Sequence, residues 1–299
     1  MRKLFCLMVA VAMSIAAAAT AQDTLKSGLA AKKSSAAISL DNVPVNNNVT
    51  PQILISIIID DMGYRLRHGK RALRLPANIT YSFLPYAPYS RELANIASRH
   101  GKEAMLHIPM QADNGKKLGP GGLTTSMPKE IFQLELKHTL SAIPNIKGMN
   151  NHMGSSLTRM TQPMQWLMQS YKKENKYFID SRTTNDSVAL TVAREFHIPS
   201  ETRDVFLDHD LKPASIRKQL AQVIKVARRN GTAIAIGHPF PETISVLEKW
   251  IPGLSSQGIK LVFVSELISQ RKNTRTLLAA QAQQKLAART LEKKALTVK

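Results

Sequence analysis

One segment constrains this chain more than any other: Ile53-Leu54-Ile55-Ser56-Ile57-Ile58-Ile59-Asp60-Asp61-Met62-Gly63. A nearly unbroken run of apolar, mostly β-branched residues reads as a strand covered on both faces, as in a parallel sheet wrapped by helices. The run stops at two adjacent carboxylates. Burying charge is costly unless it is paired or holds a metal. The carboxyl ends of parallel strands are also where α/β barrels and open sheets gather their chemistry.

The pattern recurs downstream. Strand-like runs at 79–84, 103–107, 146–150, 177–180, 205–208, 232–237 and 260–265 alternate with helix-like runs at 64–73, 90–100, 126–142, 161 onward, 187–196, 213–230 and 241–250. Gly101 stands where a helix C-cap glycine belongs, and Ser126 with Pro128 marks a helix start. Seven or eight β/α units in series predict an α/β fold of parallel strands closed into a barrel. The region 52–270, about 220 residues without an obvious linker, suits one such domain.

The flanks read differently. Arg2 and Lys3, the apolar stretch 4–18 and Ala19-Thr20-Ala21 read as a secretory signal peptide, residues 1–21, short for a membrane span, with an uncleaved anchor helix as the alternative. The one cysteine, Cys6, lies inside it, so the mature chain has no disulfide and no thiolate ligand. Residues 22–51 have the composition of a disordered linker. Residues 271–299 form a basic tail with eight Lys/Arg against Glu292, helical in composition but marginal alone. The net charge is +20, and about +18 once Arg2 and Lys3 are removed. That balance favours polyanions. In an exported protein, periplasmic or secreted, it points to envelope polymers or to an anionic membrane or cell-wall surface met by the tail. No nucleic acid is expected as a partner.

The residues at the strand ends carry chemistry. They are Asp60-Asp61, then His107, then Asn150-Asn151-His152, Asp180-Ser181-Arg182, Asp208-His209-Asp210 and Gly237-His238-Pro239. In parallel neighbours these groups converge on one rim. Carboxylates and imidazoles without thiolate suit zinc or a similar divalent ion with an open position for water. Such an ion acidifies bound water and polarises a carbonyl. A nearby carboxylate takes the proton and an imidazole protonates a leaving group. Asp180, Arg182 and Asp208 fit groups that orient such ligands. Asn151 either meets substrate or holds its own turn. Tyr81, Phe83, Tyr86 and Tyr89 are either a sugar-binding wall or packing beneath a loop. His68, His100, His138 and His197 read as surface or packing residues.

Taken together and in this order, Ile59-Asp60-Asp61-Met62-Gly63-Tyr64, His107-Ile-Pro-Met, Asn150-Asn151-His152-Met153-Gly154-Ser155, Phe178-Ile179-Asp180-Ser181-Arg182-Thr183, Phe206-Leu207-Asp208 and Gly237-His238-Pro239 resemble the divergent polysaccharide deacetylases, relatives of the NodB-type carbohydrate esterases. The resemblance covers residues 53–267 and implies an irregular (β/α)7-type barrel with a divalent metal, usually zinc. It implies Asp60 as base and Asp61 as ligand, and His238 matches the position of the catalytic acid. One departure stands out. Ordinary polysaccharide deacetylases draw both imidazoles from an H-x3-H motif, whereas here the fourth residue after His107 is Gln111. His152 is the candidate second imidazole, giving a ligand set of Asp61, His107 and His152. The expected function is metal-dependent N-deacetylation of an envelope polysaccharide, with metal-bound water attacking the acetamide carbonyl. The alternative, motivated by Gln111 and the basic tail, is a non-catalytic glycan- or envelope-binding protein on the same barrel.

Overall fold

The computed structural model describes residues 52–297. The expected signal peptide and linker lie outside the described residues. Along the described chain β1 (Ile53–Met62), α1 (Leu66–Leu73), β2 (Thr80–Phe83), α2 (Ser90–Arg99), β3 (Glu103–Met110), α3 (Lys129–Ala142), β4 (Gly148–Met153), α4 (Thr161–Tyr171), β5 (Tyr177–Asp180) and α5 (Ala189–Glu195) follow in turn. Then come β6 (Ser200–Thr202), β7 (Val205–Phe206), α6 (Pro213–Asn230), β8 (Thr232–Gly237), α7 (Pro241–Trp250), β9 (Ile259–Leu261) and α8 (Val264–Thr297). Every strand pairing is parallel, in the order β6-β5-β4-β3-β2-β1-β8-β7, with β9 against the start of β1.

The two ends of this order are neighbours in the chain. β6 pairs with β5, and β7, two residues later, pairs with β8. Between them the Arg203 N–H donates to the Asp180 carbonyl on one side, and the Asp204 N–H to the Ile234 carbonyl on the other. β6 and β7 are thus halves of one kinked stave that bridges both edges. Counted so, the barrel has seven staves, β1 to β5, β6/β7 and β8, with β9 as an extra strand below. No sequence signal marked β6.

Strand periodicity sorts β1 into two rows. Ile55, Ile57 and Ile59 are fully buried outward against the helices, each worth roughly 1.5–3 kcal/mol by its burial. Leu54, Ser56, Ile58 and Asp60 form the inward row. The interior is filled by Ile58, Met105, Tyr177, Ile179, Ile234 and Ile236, and plugged from below by Val262, Val264, Leu267 and Ile268. Gly148 makes room for this filling: a β-carbon there would come within 2.2 Å of the Tyr177 ring.

The barrel floor explains where the last strand stops. Residues 260–265 read as strand, yet β9 ends at Leu261 and α8 already begins at Val264. Buried Glu103 captures the new helix: its Oε1 accepts from the Ser265 N–H at 3.3 Å, Tyr177 Oη at 2.8 Å and Thr80 Oγ1 at 2.9 Å, and its Oε2 accepts from Ser265 Oγ. The Val264 N–H donates to Thr80 Oγ1 at 3.1 Å. A carboxylate at a helix N-terminus meets unpaired N–H groups and the positive end of the helix dipole.

α8 crosses the expected domain boundary between Gln270 and Arg271 without a break. Its next turn clips the kinked stave. Arg271 donates to Glu201 Oε2 (2.9 Å), Asp204 Oδ2 (2.8 Å) and Thr232 Oγ1 (2.8 Å), and Arg275 pairs with Glu201 Oε1. Part of the basic tail is therefore occupied within the domain. Residues 272–286 are exposed. No helix among the described residues is long and apolar enough to cross a membrane.

Candidate metal centre

At the C-terminal mouth, adjacent residues of a regular strand would face opposite sides. β1 breaks that rule at its end. A register shift between Ile59 and Met62, with Asp61 at φ +54°, forms a bulge that turns both carboxylates to the mouth. Asp61 Oδ1 then lies 3.2 Å from His107 Nε2 and 2.9 Å from His152 Nδ1, and the two nitrogens are 3.2 Å apart. These separations approach the ~3.4 Å donor–donor edge of a tetrahedral ion with bonds of about 2.1 Å.

Apart from one another, the donors have no hydrogen-bond partner among the described residues. Asp61 Oδ1 is buried and accepts no hydrogen bond of acceptable geometry, despite its two close imidazoles. His107 Nδ1 donates to Asn150 Oδ1 at 2.7 Å, because the Asn150 amide group is directed at Asp60, and the other ring nitrogen, Nε2, faces the mouth. A single-oxygen, two-imidazole set with an open side fits a divalent cation such as zinc. Burial would raise the Asp61 carboxyl, but His107 and His152 beside it hold it well below the usual carboxylate range.

Two further groups flank this set. Asp60 is buried and receives the Asn150 amide on both oxygens, at 2.8 and 3.0 Å. Its Oδ2 is 3.7 Å from His107 Nε2. Burial raises its pKa, against the pull of His107, His238 and the Asn150 hydrogen bond. His238 closes the other side. Its Nδ1 and backbone N–H both go to Asp208, at 2.9 and 2.6 Å, and Thr243 Oγ1 steadies that carboxylate at 2.8 Å. His238 Nε2 points to the mouth, 3.8 Å from Asp61 Oδ2. Burial lowers the imidazole, but the Asp208 hydrogen bond and charge outweigh it and push its pKa up to about 9.

Residues 57–268 match the divergent polysaccharide deacetylases. The chain belongs to that family. It is 35% identical over 221 residues to an uncharacterised protein of Haemophilus influenzae, covering 74% of this chain and 79% of that one. It is 36% identical over 216 residues to the uncharacterised protein YibQ of Escherichia coli, covering 72% and 67%. Among solved structures, an uncharacterised protein from Agrobacterium tumefaciens superposes with a TM-score of 0.71 at 26% identity, covering 73% of this chain and 90% of that one.

Within this member of the family, Gln111 has a structural task. Its Oε1 accepts from the backbone N–H (2.7 Å) and Oγ1 (2.9 Å) of Thr125, and its carbonyl accepts from the Ser156 and Leu157 N–H groups, both at 3.1 Å. It clamps the long loop after β3 to the turn after β4. His152 stands where a second imidazole is needed, supplied by the neighbouring strand.

Three expected site residues lie elsewhere. Asn151 is buried on the outward row of β4, beside Met149 rather than Asn150; its Nδ2 donates to the Met153 carbonyl and its Oδ1 accepts from the Ser181 N–H. It holds the turn, in which Met153 adopts φ +53°. Asp180 occupies the outward row of β5 and ties its loop together through the Arg182 N–H and Ser187 Oγ. Arg182 is turned out to solvent by φ +48° and donates to the Asn185 carbonyl. Nearby, Arg203 is fixed at the stave kink by the carbonyls of Ser181 (2.8 Å) and Arg182 (3.0 Å), and burial lowers its pKa against the pull of Asp60 and Asp180. Arg203 and Asn150 were missed as site residues. Asn150 was legible, since it shares the inward row of β4 with His152. Of the aromatic set, Tyr81 and Phe83 are fully buried on the outward face, and Tyr86 packs against Gly121 of the long loop.

Proposed function

We propose that the protein is a metal-dependent N-deacetylase of an envelope polysaccharide, working outside the cytoplasm after loss of its signal peptide. The observation that carries this is the convergence of Asp61, His107 and His152 donor atoms within hydrogen-bonding distance of one another, around an orphaned buried carboxylate oxygen. Those three residues would hold the ion, and a bound divalent cation there supplies acidified water and a polarised amide carbonyl.

Asp60 is the base. The Asn150 amide keeps both oxygens aligned, and burial makes the carboxylate a better proton acceptor than a solvated one. His238 is the acid. Amide cleavage needs a proton on the departing nitrogen, and Asp208 keeps the imidazole charged at neutral pH with Nε2 facing the mouth. The proton that Asp60 takes from water and the proton that His238 gives to the amine leave acetate and a free amino sugar. Buried Asp60 and His107 keep the deep side dry, while half-buried His152 and His238 leave the upper side accessible to an acetamido group on a polymer. The non-catalytic alternative leaned on Gln111. With His152 beside His107, Gln111 removes no imidazole from the ligand set.

Acetate release from N-acetylated chitooligosaccharides and from peptidoglycan strands tests the reading. Release that stops with chelator and returns with zinc is expected. Zinc-loaded protein that releases acetate from none of these glycans leaves the non-catalytic binder as the better account.

A further inference from the structure

Immediately beyond His238 the surface dips into a cavity of about 420 Å³ lined by Arg67, His68, Arg71, Pro239, Pro241 and Ile244. That volume is in the range of small-ligand sites. Both walls belong to the catalytic rim: Pro239 follows His238, and α1 starts five residues after Asp61. One wall is braced. Arg71 makes a two-pronged pair with Glu248 (3.0 and 2.7 Å) and donates to Ser245 Oγ at 2.9 Å, so its charge is neutralised and its position fixed. Lys70, beside it, pairs with Glu92 at 2.9 Å.

Arg67 and His68 are different. Neither side chain has an ion pair or a hydrogen bond among the described residues, although both line the cavity. The remaining rim near Arg67 is also cationic. Arg65 precedes it, and the loop carrying Lys116 and Lys117 brings Gly119 against the Tyr64 hydroxyl. A guanidinium fork and an imidazole N–H facing one cavity suit an oxyanion. Phe240, partly exposed at the same turn and 5.5 Å from the His238 ring, offers an apolar face to a sugar.

We infer that this cavity is an oxyanion subsite, seating a carboxylate or phosphate carried by the sugar next to the acetylated one, with Arg67 as its main cation. The substrate is then an anionic glycan rather than a neutral one. The inference rests on the deacetylase reading for its geometry relative to the scissile amide.

Binding and acetate release are measured in the same samples of zinc-loaded protein, on three N-acetylated glycans. One bears carboxylates, one is the same polymer with its carboxyls reduced to alcohols, and one bears phosphodiesters. The expected result is about tenfold tighter binding of an anionic glycan than of the neutral one, abolished in Arg67→Gln and retained in Arg217→Gln, which removes the same charge from exposed α6. Whichever anionic glycan shows the Arg67-dependent gain identifies the anion. Equal binding of charged and neutral glycans overturns the subsite, as does an equal loss in Arg217→Gln. If no glycan releases acetate while the Arg67-dependent preference persists, the deacetylase reading falls and the subsite stands.

Discussion

Asp60 and Asp61 are adjacent in the chain and have opposite electrostatic fates. Burial lifts Asp60 while two imidazoles hold Asp61 down, so one suits proton capture and the other permanent ligation. Asp60→Asn should keep zinc with unchanged stoichiometry by metal analysis and lose at least about a hundredfold in turnover, the usual scale of general-base removal. Asn150→Ala should act on Asp60 and on His107 at once. It strips the hydrogen bond that fixes the His107 tautomer, and zinc affinity should fall by about 10–100-fold in a competitive chelator titration. His238 gives a prediction in pH. An acid must be protonated to act, and a pKa of about 9 keeps it so through neutrality; activity should therefore fall on the alkaline side as pH rises through that value. In Asp208→Asn the supporting carboxylate is gone, and the alkaline limb of the kcat profile should move down toward the ordinary histidine value. An unmoved limb assigns the acid to another group.

Strand alternation decided which candidate side chains reached the mouth. His107 and His152 fall on inward rows of β3 and β4, and Asn150 shares the latter. Asn151 and Asp180 fall on outward rows, one residue out of phase, and became turn holders. The apolar run before Asp60 was legible because burial on both faces needs an unbroken hydrophobic pattern. The bulge that turns Asp61 inward was not, since no glycine marks it and the left-handed φ falls on the aspartate itself. Arg203 escaped for a related reason: its role depends on the kink between β6 and β7, which have three and two residues and too little periodicity to read. Glu103 was hidden likewise, as one acid in a strand whose task lies 162 residues away, on Ser265 at the start of α8. Glu103→Ala should strand the Tyr177 and Ser265 donors and cost about 3 kcal/mol, at roughly 1–3 per unsatisfied buried group. Thermal unfolding should register this as a midpoint roughly 6–12 °C lower, with zinc stoichiometry unchanged because the floor is remote from the mouth.

For the molecule as a whole, the ligands come from three separate strands, β1, β3 and β4, so an ion held by them ties distant parts of the barrel together. Zinc at about a hundred times its dissociation constant should stabilise the fold by about 2.7 kcal/mol. That corresponds to a midpoint rise of roughly 5–10 °C in a domain of this size. Asp61→Ala should lose the rise while melting cooperatively without metal.

The kinked stave and its clip have a consequence for the order of manufacture. The barrel is joined where the chain changes partner between Thr202 and Val205, and the side chains that fasten this joint, Arg271 and Arg275, come after every catalytic candidate in the sequence. A nascent chain emerging from its N-terminus completes its chemistry at His238 but receives its fastener only with α8. Premature termination before Arg271 would leave a product with all its reactive groups and an unlatched joint.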